Sequence, residues 1–209
     1  MREVWPFQWR MAASWLCGYF IFQLYNPVLF AYHGAMVAGQ MGMSLSLANA
    51  LLPVSIFWTN TKAAPFGALI ARKEYAALDR MFFRALWQST AVCTAGAVVI
   101  WIGFLYLNLA GYKFAHRVVG LMTLAFLLAT VPINAIAFAE ATYLRAEKQE
   151  KFLLNSVLGA ILVGCSTIVL GKYYGSAGVA LGSLVVGIVM GLPLGAYIFM
   201  KYRRIWHAQ

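Results

Sequence analysis

Residues 11–61 read MAASWLCGYFIFQLYNPVLFAYHGAMVAGQMGMSLSLANALLPVSIFWTNT, without one Asp, Glu, Lys or Arg. About 20 apolar residues, each rising about 1.5 Å along a helix, cross a hydrocarbon core about 30 Å thick. This stretch is therefore long enough to cross a membrane twice. Tyr32-His33-Gly34, near its middle, is the predicted turn between the two crossings.

Four further uncharged stretches follow, and each suits one crossing. They are residues 85–112, 118–139, 152–171 and 173–200. Together the five stretches predict an all-α, polytopic membrane protein: a bundle of six transmembrane helices that forms a single domain over residues 1–209. The predicted helices 1 to 6 span approximately residues 10–30, 39–62, 84–107, 116–140, 152–170 and 177–200.

The composition excludes an ordinary soluble globular protein. Hydrophobic residues make up 63% of the chain and charged residues only 11%, whereas soluble domains contain about 25% charged residues. No polar tract is long enough to form a separate soluble domain. The whole chain is therefore expected to be membrane domain.

Positive charge is concentrated in alternate connections between the predicted helices. Cations precede helix 1, separate helices 2 and 3, separate helices 4 and 5, and follow helix 6, whereas the other connections hold only Lys113, Arg117 and Lys172. Cytoplasmic loops are enriched in Lys and Arg, so both termini are predicted to be cytoplasmic. The concentrated cations are Arg2, Arg10, Arg72, Lys73, Arg80, Arg84, Arg145, Lys148, Lys151, Lys201, Arg203 and Arg204.

The net charge of +10 does not indicate a nucleic-acid partner. A nucleic-acid-binding protein gathers its cations on one solvated face, and here they are divided among four separate segments. Enzyme motifs such as HExxH, GxSxG and the Walker A loop are missing from the sequence. Cys17, Cys93 and Cys165 lie in apolar stretches without metal-ligand spacing. We therefore expect no enzymatic activity, no cofactor and no metal site.

Predicted helix 2 carries the polar cluster Trp58-Thr59-Asn60-Thr61-Lys62 between Pro53 and Pro65. A proline inside a spanning helix frees a carbonyl group, which must then find a protein or water partner. The helix is therefore expected to face the bundle interior or a wet cavity, with Asn60 and Lys62 as candidate substrate-binding residues. Alternatively, Lys62 extends its ammonium group to the cytoplasmic headgroups.

Two further ionisable residues near membrane depth are candidates for function. Arg117, at the outer end of predicted helix 4, is either a cavity cation for substrate or an interfacial anchor. Glu140, at the inner end of the same helix, is a weaker candidate for ion coupling. The alternative for Glu140 is an ion pair with Arg145, five positions later.

The last predicted helix contains glycines four positions apart, a spacing that places them on one face and allows close helix approach. The neighbouring helix belongs either to the same bundle or to another copy of the chain. These helix-packing candidates are Gly178, Gly182, Gly187, Gly191 and Gly195.

The order of these features resembles that of the polysaccharide exporters, or O-antigen flippases, of the multidrug/oligosaccharidyl-lipid/polysaccharide (MOP) exporter superfamily. The likeness covers nearly the whole chain and is to the C-terminal six-helix half of those proteins. The stretches that carry it are Asn26-Pro27, Gly34, Ala38-Gly39-Gln40-Met41-Gly42, Trp58, Lys62, Pro65, Ala71-Arg72-Lys73, Tyr143-Leu144-Arg145-Ala146 with Lys148, and Tyr174-Gly175-Ser176-Ala177-Gly178.

The resemblance implies a transporter of the bacterial inner membrane. Such exporters move undecaprenyl-pyrophosphate-linked oligosaccharides between leaflets by alternating access, with two six-helix bundles around a central cationic cavity. The expected partners are membrane lipids, the lipid-linked glycan, and either a second copy of this chain or another six-helix half. Lys62 and Arg117 would then face the cavity and offset the pyrophosphate charge.

Two other functions stay open. A drug or cation antiporter of the same superfamily would depend on an intramembrane acid, for which Glu140 is the candidate. A non-transporting membrane subunit, or a truncated fragment, would need nothing from Lys62. In that case the glycines of the last helix would serve to dock a partner.

Overall fold

The structure, a computed structural model, describes residues 5–146 and 151–207, and the regular elements in those ranges are all helical. Arg2 and Lys148, which were predicted to be cytoplasmic cations, lie outside the described residues. The elements are α1 (Trp5–Asn60), α2 (Ala63–Ala71), α3 (Tyr75–Leu109), a 3₁₀ helix (Lys113–Arg117), α4 (Leu121–Arg145), α5 (Leu153–Val186), a π-helical turn (Gly187–Gly191) and α6 (Leu192–His207).

Helix α1 is bent back on itself at Gly34, which has a φ of 83°. Residues that carry a side chain rarely adopt that backbone conformation, so glycine suits the turn. A methyl group on Gly42 would lie 3.4 Å from Nδ2 of Asn26, which shows that the segments on either side of Gly34 pack together. We call residues 5–33 and 35–60 the first and second arms of α1. The reversal lies at the turn predicted from Tyr32-His33-Gly34.

Helix α5 reverses in the same way at Gly175, which has a φ of 60°. A methyl group on Gly171 would lie 3.0 Å from Cγ2 of Val179, on the other side of the turn. Residues 153–174 and 176–186 are the first and second arms of α5. The two turns are neighbours, because Nε2 of His33 donates a hydrogen bond of 2.7 Å to the carbonyl oxygen of Gly171.

The first arms of α1 and α5 run parallel, since their contacts rise together in residue number. Ser14 bonds to Ser156, a methyl group on Gly164 would lie 3.7 Å from Leu24, and His33 meets Gly171. Helix α4 likewise runs parallel to the segment from Gly187 to Trp206, because their contacts also rise together in residue number. Ile133 lies against Gly187, Glu140 against Gly195, and the Tyr143 and Trp206 rings stack at 5.4 Å.

The second arm of α1 packs antiparallel to α3, and α3 packs antiparallel to α4. Ser55 and Ser89 exchange hydrogen bonds of 2.7–2.9 Å, and Leu51 lies against Gly96. Nε1 of Trp101 donates to the carbonyl oxygen of Leu121 near the start of α4. As a result, the bundle has a turn end, with Gly34, Gly111 and Gly175, and a charged end, with Lys62, Arg80, Arg145 and Arg203.

Four helical stretches among the described residues are long and apolar enough to cross a membrane: Met11–Ala71, Tyr75–Leu109, Leu121–Arg145 and Leu153–Trp206. Large apolar side chains are exposed along them, including Met36 (77%), Trp87 (76%) and Leu109 (79%). A surface this apolar is suited to lipid rather than to water.

Several helix boundaries differ from those predicted. Helix α3 begins at Tyr75, nine residues before predicted helix 3, so most of the charged connector forms its first turns. A 3₁₀ helix replaces the expected start of predicted helix 4, and α4 begins at Leu121. Pro53 lies within α1, while Pro65 lies in the first turn of α2. An N–H group in the first turn has no partner within the helix, so proline costs no hydrogen bond there.

Two apolar clusters hold the bundle together. One occupies its middle and turn end and includes Tyr25, Met41, Leu124 and Val179. The other lies at the charged end, where the Phe66, Phe82, Tyr143, Phe199 and Trp206 side chains are packed ring against ring. Between the two clusters, the arms of α1 diverge toward different partners and leave a cavity.

Candidate functional site

A cavity of about 710 Å³ lies between the two arms of α1, α4 and α5. The arms touch near Gly34, but farther along the first arm is held to α5 by Ser14 and the second arm is held to α3 by Ser55. The two arms of α1 therefore diverge toward the charged end. The volume falls within the range of small-molecule binding sites, about 300–1,000 Å³.

The cavity reaches from the charged end into the body of the bundle. Its lining includes Ser14 near the charged end and Tyr25 farther along the same arm. They are eleven positions apart along the helix, a rise of about 16 Å. This length is about half the thickness of a membrane core, which is about 30 Å.

Most of the cavity wall is apolar, and a small number of polar groups interrupt it. Four asparagines line the cavity: Asn49, Asn60, Asn134 and Asn155. Asn155 is buried, and its Oδ1 has no hydrogen-bond partner among the described residues. An apolar wall with a few convergent polar groups is typical of a binding site for an organic ligand.

A cation and two hydroxyl groups line the cavity at the charged end. The Ser14 and Ser156 hydroxyls are hydrogen-bonded at 2.7 Å, and Nη2 of Arg145 lies 3.5 Å from Oγ of Ser14. These residues come from three different helices, α1, α5 and α4. The bundle therefore assembles a guanidinium and a hydroxyl pair, which are the donors that bind phosphate and carboxylate groups.

Of the predicted substrate-binding residues, only Asn60 lines this cavity. Lys62 is exposed in the connection between α1 and α2, and its carbonyl oxygen accepts from the N–H of Phe66. Arg117 is exposed at the turn end, where its guanidinium lies 5.9 Å from the centre of the Phe114 ring. The structure therefore does not bring Lys62 and Arg117 together within one bundle.

Glu140 is buried between α4 and α6, close to the cavity but not on its wall. Its Oε2 atom has no hydrogen-bond partner among the described residues. The expected ion pair with Arg145 is not found there. Gly195 provides the space for this carboxylate, since a methyl group on Gly195 would lie 2.7 Å from Oε2.

Four of the five candidate packing glycines contact other segments of the same chain. Gly178 and Gly182 face the first arm of α5 at Leu170 and Ser166, whereas Gly187 faces Ile133 and Gly195 faces Glu140 and Phe152 on other segments. Gly191 has only its own helix nearby and lines the cavity. The glycine face therefore serves close approach inside the bundle.

Sequence reasoning missed the cavity role of Arg145 and the burial of Asp79. Arg145 was predicted to be a cytoplasmic loop cation and a possible ion-pair partner of Glu140, because it follows the apolar part of predicted helix 4. Asp79 was counted as part of a charged connector, yet it is buried and bonded to Tyr143 and Arg203. Its four-position spacing from the apolar Tyr75 and Phe83 was the available signal that it belongs to a packed helix.

Among the described residues, no group of three or more His, Cys, Asp or Glu side chains is placed to hold a metal ion. Comparisons with protein-family models, curated proteins and solved structures found no match for this chain. The features that bear on function are therefore the long apolar helices and the cavity between them.

Proposed function

We propose that this chain is one six-helix bundle of an exporter that moves a lipid-linked oligosaccharide or polysaccharide precursor across the bacterial inner membrane. The observation that carries the proposal is the cavity of about 710 Å³ inside a bundle of membrane-length helices. Its apolar wall suits a lipid, while its amide and hydroxyl groups suit sugar and phosphate. An amphipathic substrate needs both kinds of surface.

The proposed topology has six crossings and two cytoplasmic termini. Each arm of α1 is long enough to cross about 30 Å of hydrocarbon, and the reversals at Gly34 and Gly175 divide the two longest stretches. The parallel pairing of the first arms of α1 and α5 supports alternation of direction along the chain. The cations that the structure describes within residues 72–84, 145–151 and 201–204 all lie at the charged end, which is therefore assigned to the cytoplasm.

A second bundle is part of the proposal, because Lys62 and Arg117 are exposed and have space to face a partner. The partner is either a second copy of this chain or another six-helix protein. Native mass spectrometry of the complex in lipid discs distinguishes these from a monomer. A species of twice 23.1 kDa identifies the homodimer.

Reconstituted vesicles test the transport function directly. A fluorescent saccharide on a polyprenyl pyrophosphate is incorporated, and its movement between leaflets is followed by quenching with an impermeant reagent. We expect faster movement than in protein-free vesicles, and a several-fold lower rate for Lys62→Ala. Lys201→Ala, which alters another exposed lysine at the charged end, serves as the control. Movement no faster than in protein-free vesicles contradicts the proposal.

A second candidate, cation-coupled antiport, is favoured by the buried carboxylate of Glu140. A charged carboxylate without a partner is costly at membrane depth, so binding of a proton or a cation would stabilise it. Glu140→Gln would then abolish substrate transport driven by an ion gradient while leaving substrate binding intact. Unchanged gradient-driven transport by the well-expressed variant excludes this coupling role.

A further inference from the structure

The charged end of the cavity combines three features that bind phosphate. The Arg145 guanidinium reaches Oγ of Ser14 at 3.5 Å, and the Ser14 and Ser156 hydroxyls lie side by side at 2.7 Å. Helix α5 begins next to them, at Leu153, without a side-chain cap. The first N–H groups of a helix are unbonded and lie at the positive end of its dipole.

An independent observation indicates a ligand at this site. Asn155 is 7% exposed and lines the cavity, yet its Oδ1 has no hydrogen-bond partner among the described residues. Leaving a buried acceptor unbonded is unfavourable. The atom is itself covered by protein, so the Asn155 side chain must turn toward the cavity before Oδ1 can accept a hydrogen bond from a hydroxyl group beside the phosphate. A sugar attached to that phosphate supplies such a hydroxyl.

The rest of the cavity suits a long apolar chain. Trp15 and Tyr19 on the first arm of α1 and Phe57 on the second arm line the cavity. They are 56%, 60% and 62% exposed, respectively. The gap between the diverging arms therefore has aromatic edges and leads outward from the bundle. A chain lying in this gap would pass from the phosphate site into the surrounding hydrocarbon.

We propose that this single bundle binds the phosphate ester of a long-chain lipid, with the phosphate at Arg145, Ser14 and Ser156 and the attached sugar hydroxyl at Asn155. The site deepens the proposed export function and rests on it for the identity of the substrate. It differs from a cavity shared between two bundles, because every contact comes from one chain. Two sources have this chemistry, an isoprenoid phosphate and a membrane phospholipid.

Native mass spectrometry of the purified chain in detergent tests the site. Farnesyl phosphate is titrated, with farnesol and phosphatidylglycerol as comparison ligands. We expect the 23.1 kDa monomer to bind farnesyl phosphate more tightly than farnesol. Arg145→Gln should weaken farnesyl phosphate binding by about tenfold or more, because hydrogen bonds to charged groups contribute about 1.5–3 kcal/mol. Arg204→Gln, which changes an exposed arginine of α6, should leave binding unchanged.

A second pair of variants tests the cavity without changing its charge. Gly18 lines the cavity, and no atom lies within 4 Å of a methyl group placed on it. Gly18→Leu should therefore fill the cavity and reduce farnesyl phosphate binding without displacing neighbours. Gly103 on α3 has the same free space but does not line the cavity, so Gly103→Leu is the matched control.

The outcomes separate the site from the transport function. Equal farnesyl phosphate affinity for Arg145→Gln and the unaltered chain overturns the site, as does binding restricted to a dimer. Phosphatidylglycerol binding with the same dependence on Arg145 supports the site and assigns it to bulk phospholipid. Binding without movement in the reconstituted vesicles overturns the export function alone. Movement at the full rate by Arg145→Gln overturns the site alone.

Discussion

Asp79 on α3 and Arg203 on α6, 124 positions apart, form an ion pair at the charged end of the bundle. Nε and Nη2 of Arg203 lie 2.8 and 2.7 Å from Oδ2 of Asp79. The other carboxylate oxygen, Oδ1, accepts a hydrogen bond of 2.9 Å from the Tyr143 hydroxyl on α4. One carboxylate therefore joins three helices at the end where the cavity opens.

Replacing this carboxylate should loosen the charged end. Asp79→Ala leaves Arg203 and Tyr143 without their shared acceptor. We expect a loss of about 3 kcal/mol in the free energy of unfolding, the lower end of the range for a broken buried pair, because 37% of the Arg203 side chain is exposed. Thermal unfolding in detergent measures it. Glu74→Ala, at an exposed acid whose side chain makes no cap bond, is the control, and equal melting of both variants would refute the prediction.

Gly195→Ala should be destabilising because no space exists for the added methyl group. It would lie 2.7 Å from Oε2 of Glu140 and 3.1 Å from Cζ of Phe152. Overpacking of this kind costs about 1–3 kcal/mol. Gly191→Ala is the matched control, since its nearest neighbour is 3.8 Å away.

A double-mutant cycle identifies the source of the Gly195 effect. Combining Gly195→Ala with Glu140→Ala removes the closest contact, so part of the lost stability should return. Strictly additive losses in the unfolding free energy would show that Glu140 is not the group that Gly195 accommodates.

Gly34→Ala should destabilise the protein, although space for the added methyl group is available. No atom lies within 4 Å of a methyl group on Gly34, but its φ of 83° and ψ of 176° lie in a region essentially restricted to glycine, so alanine should cost about 1–3 kcal/mol. Gly39→Ala, in an equally open position within α1, should be neutral or slightly stabilising. Melting temperatures of the two variants provide the comparison, and a neutral Gly34→Ala would argue against the turn.

Cysteine labelling tests the six-crossing topology. In a chain whose three native cysteines are replaced, Met36→Cys and Tyr173→Cys should react with an impermeant maleimide from outside intact cells. Arg80→Cys should react only after permeabilisation. All three positions are exposed. Protection of Met36→Cys from the external reagent would contradict a turn at the outer surface.

The positions of both reversals were accessible from the sequence. Tyr32-His33-Gly34 and Tyr173-Tyr174-Gly175 separate apolar stretches whose lengths match a membrane. Helix boundaries were less accessible. Helix α3 extends back to Tyr75 because Leu78 and Phe82 are buried against other helices, and that packing is not visible in a local charge pattern.

The sequence by itself determined the helical class, the membrane-like composition and the two glycine turns, because chain length, desolvation and backbone freedom are local properties. Only the tertiary structure decided which polar residues share a site. Arg145 lines the cavity and Lys62 does not, and Asp79 finds its partner 124 positions away. These outcomes depend on which helix faces which, and close packing between distant segments sets that arrangement.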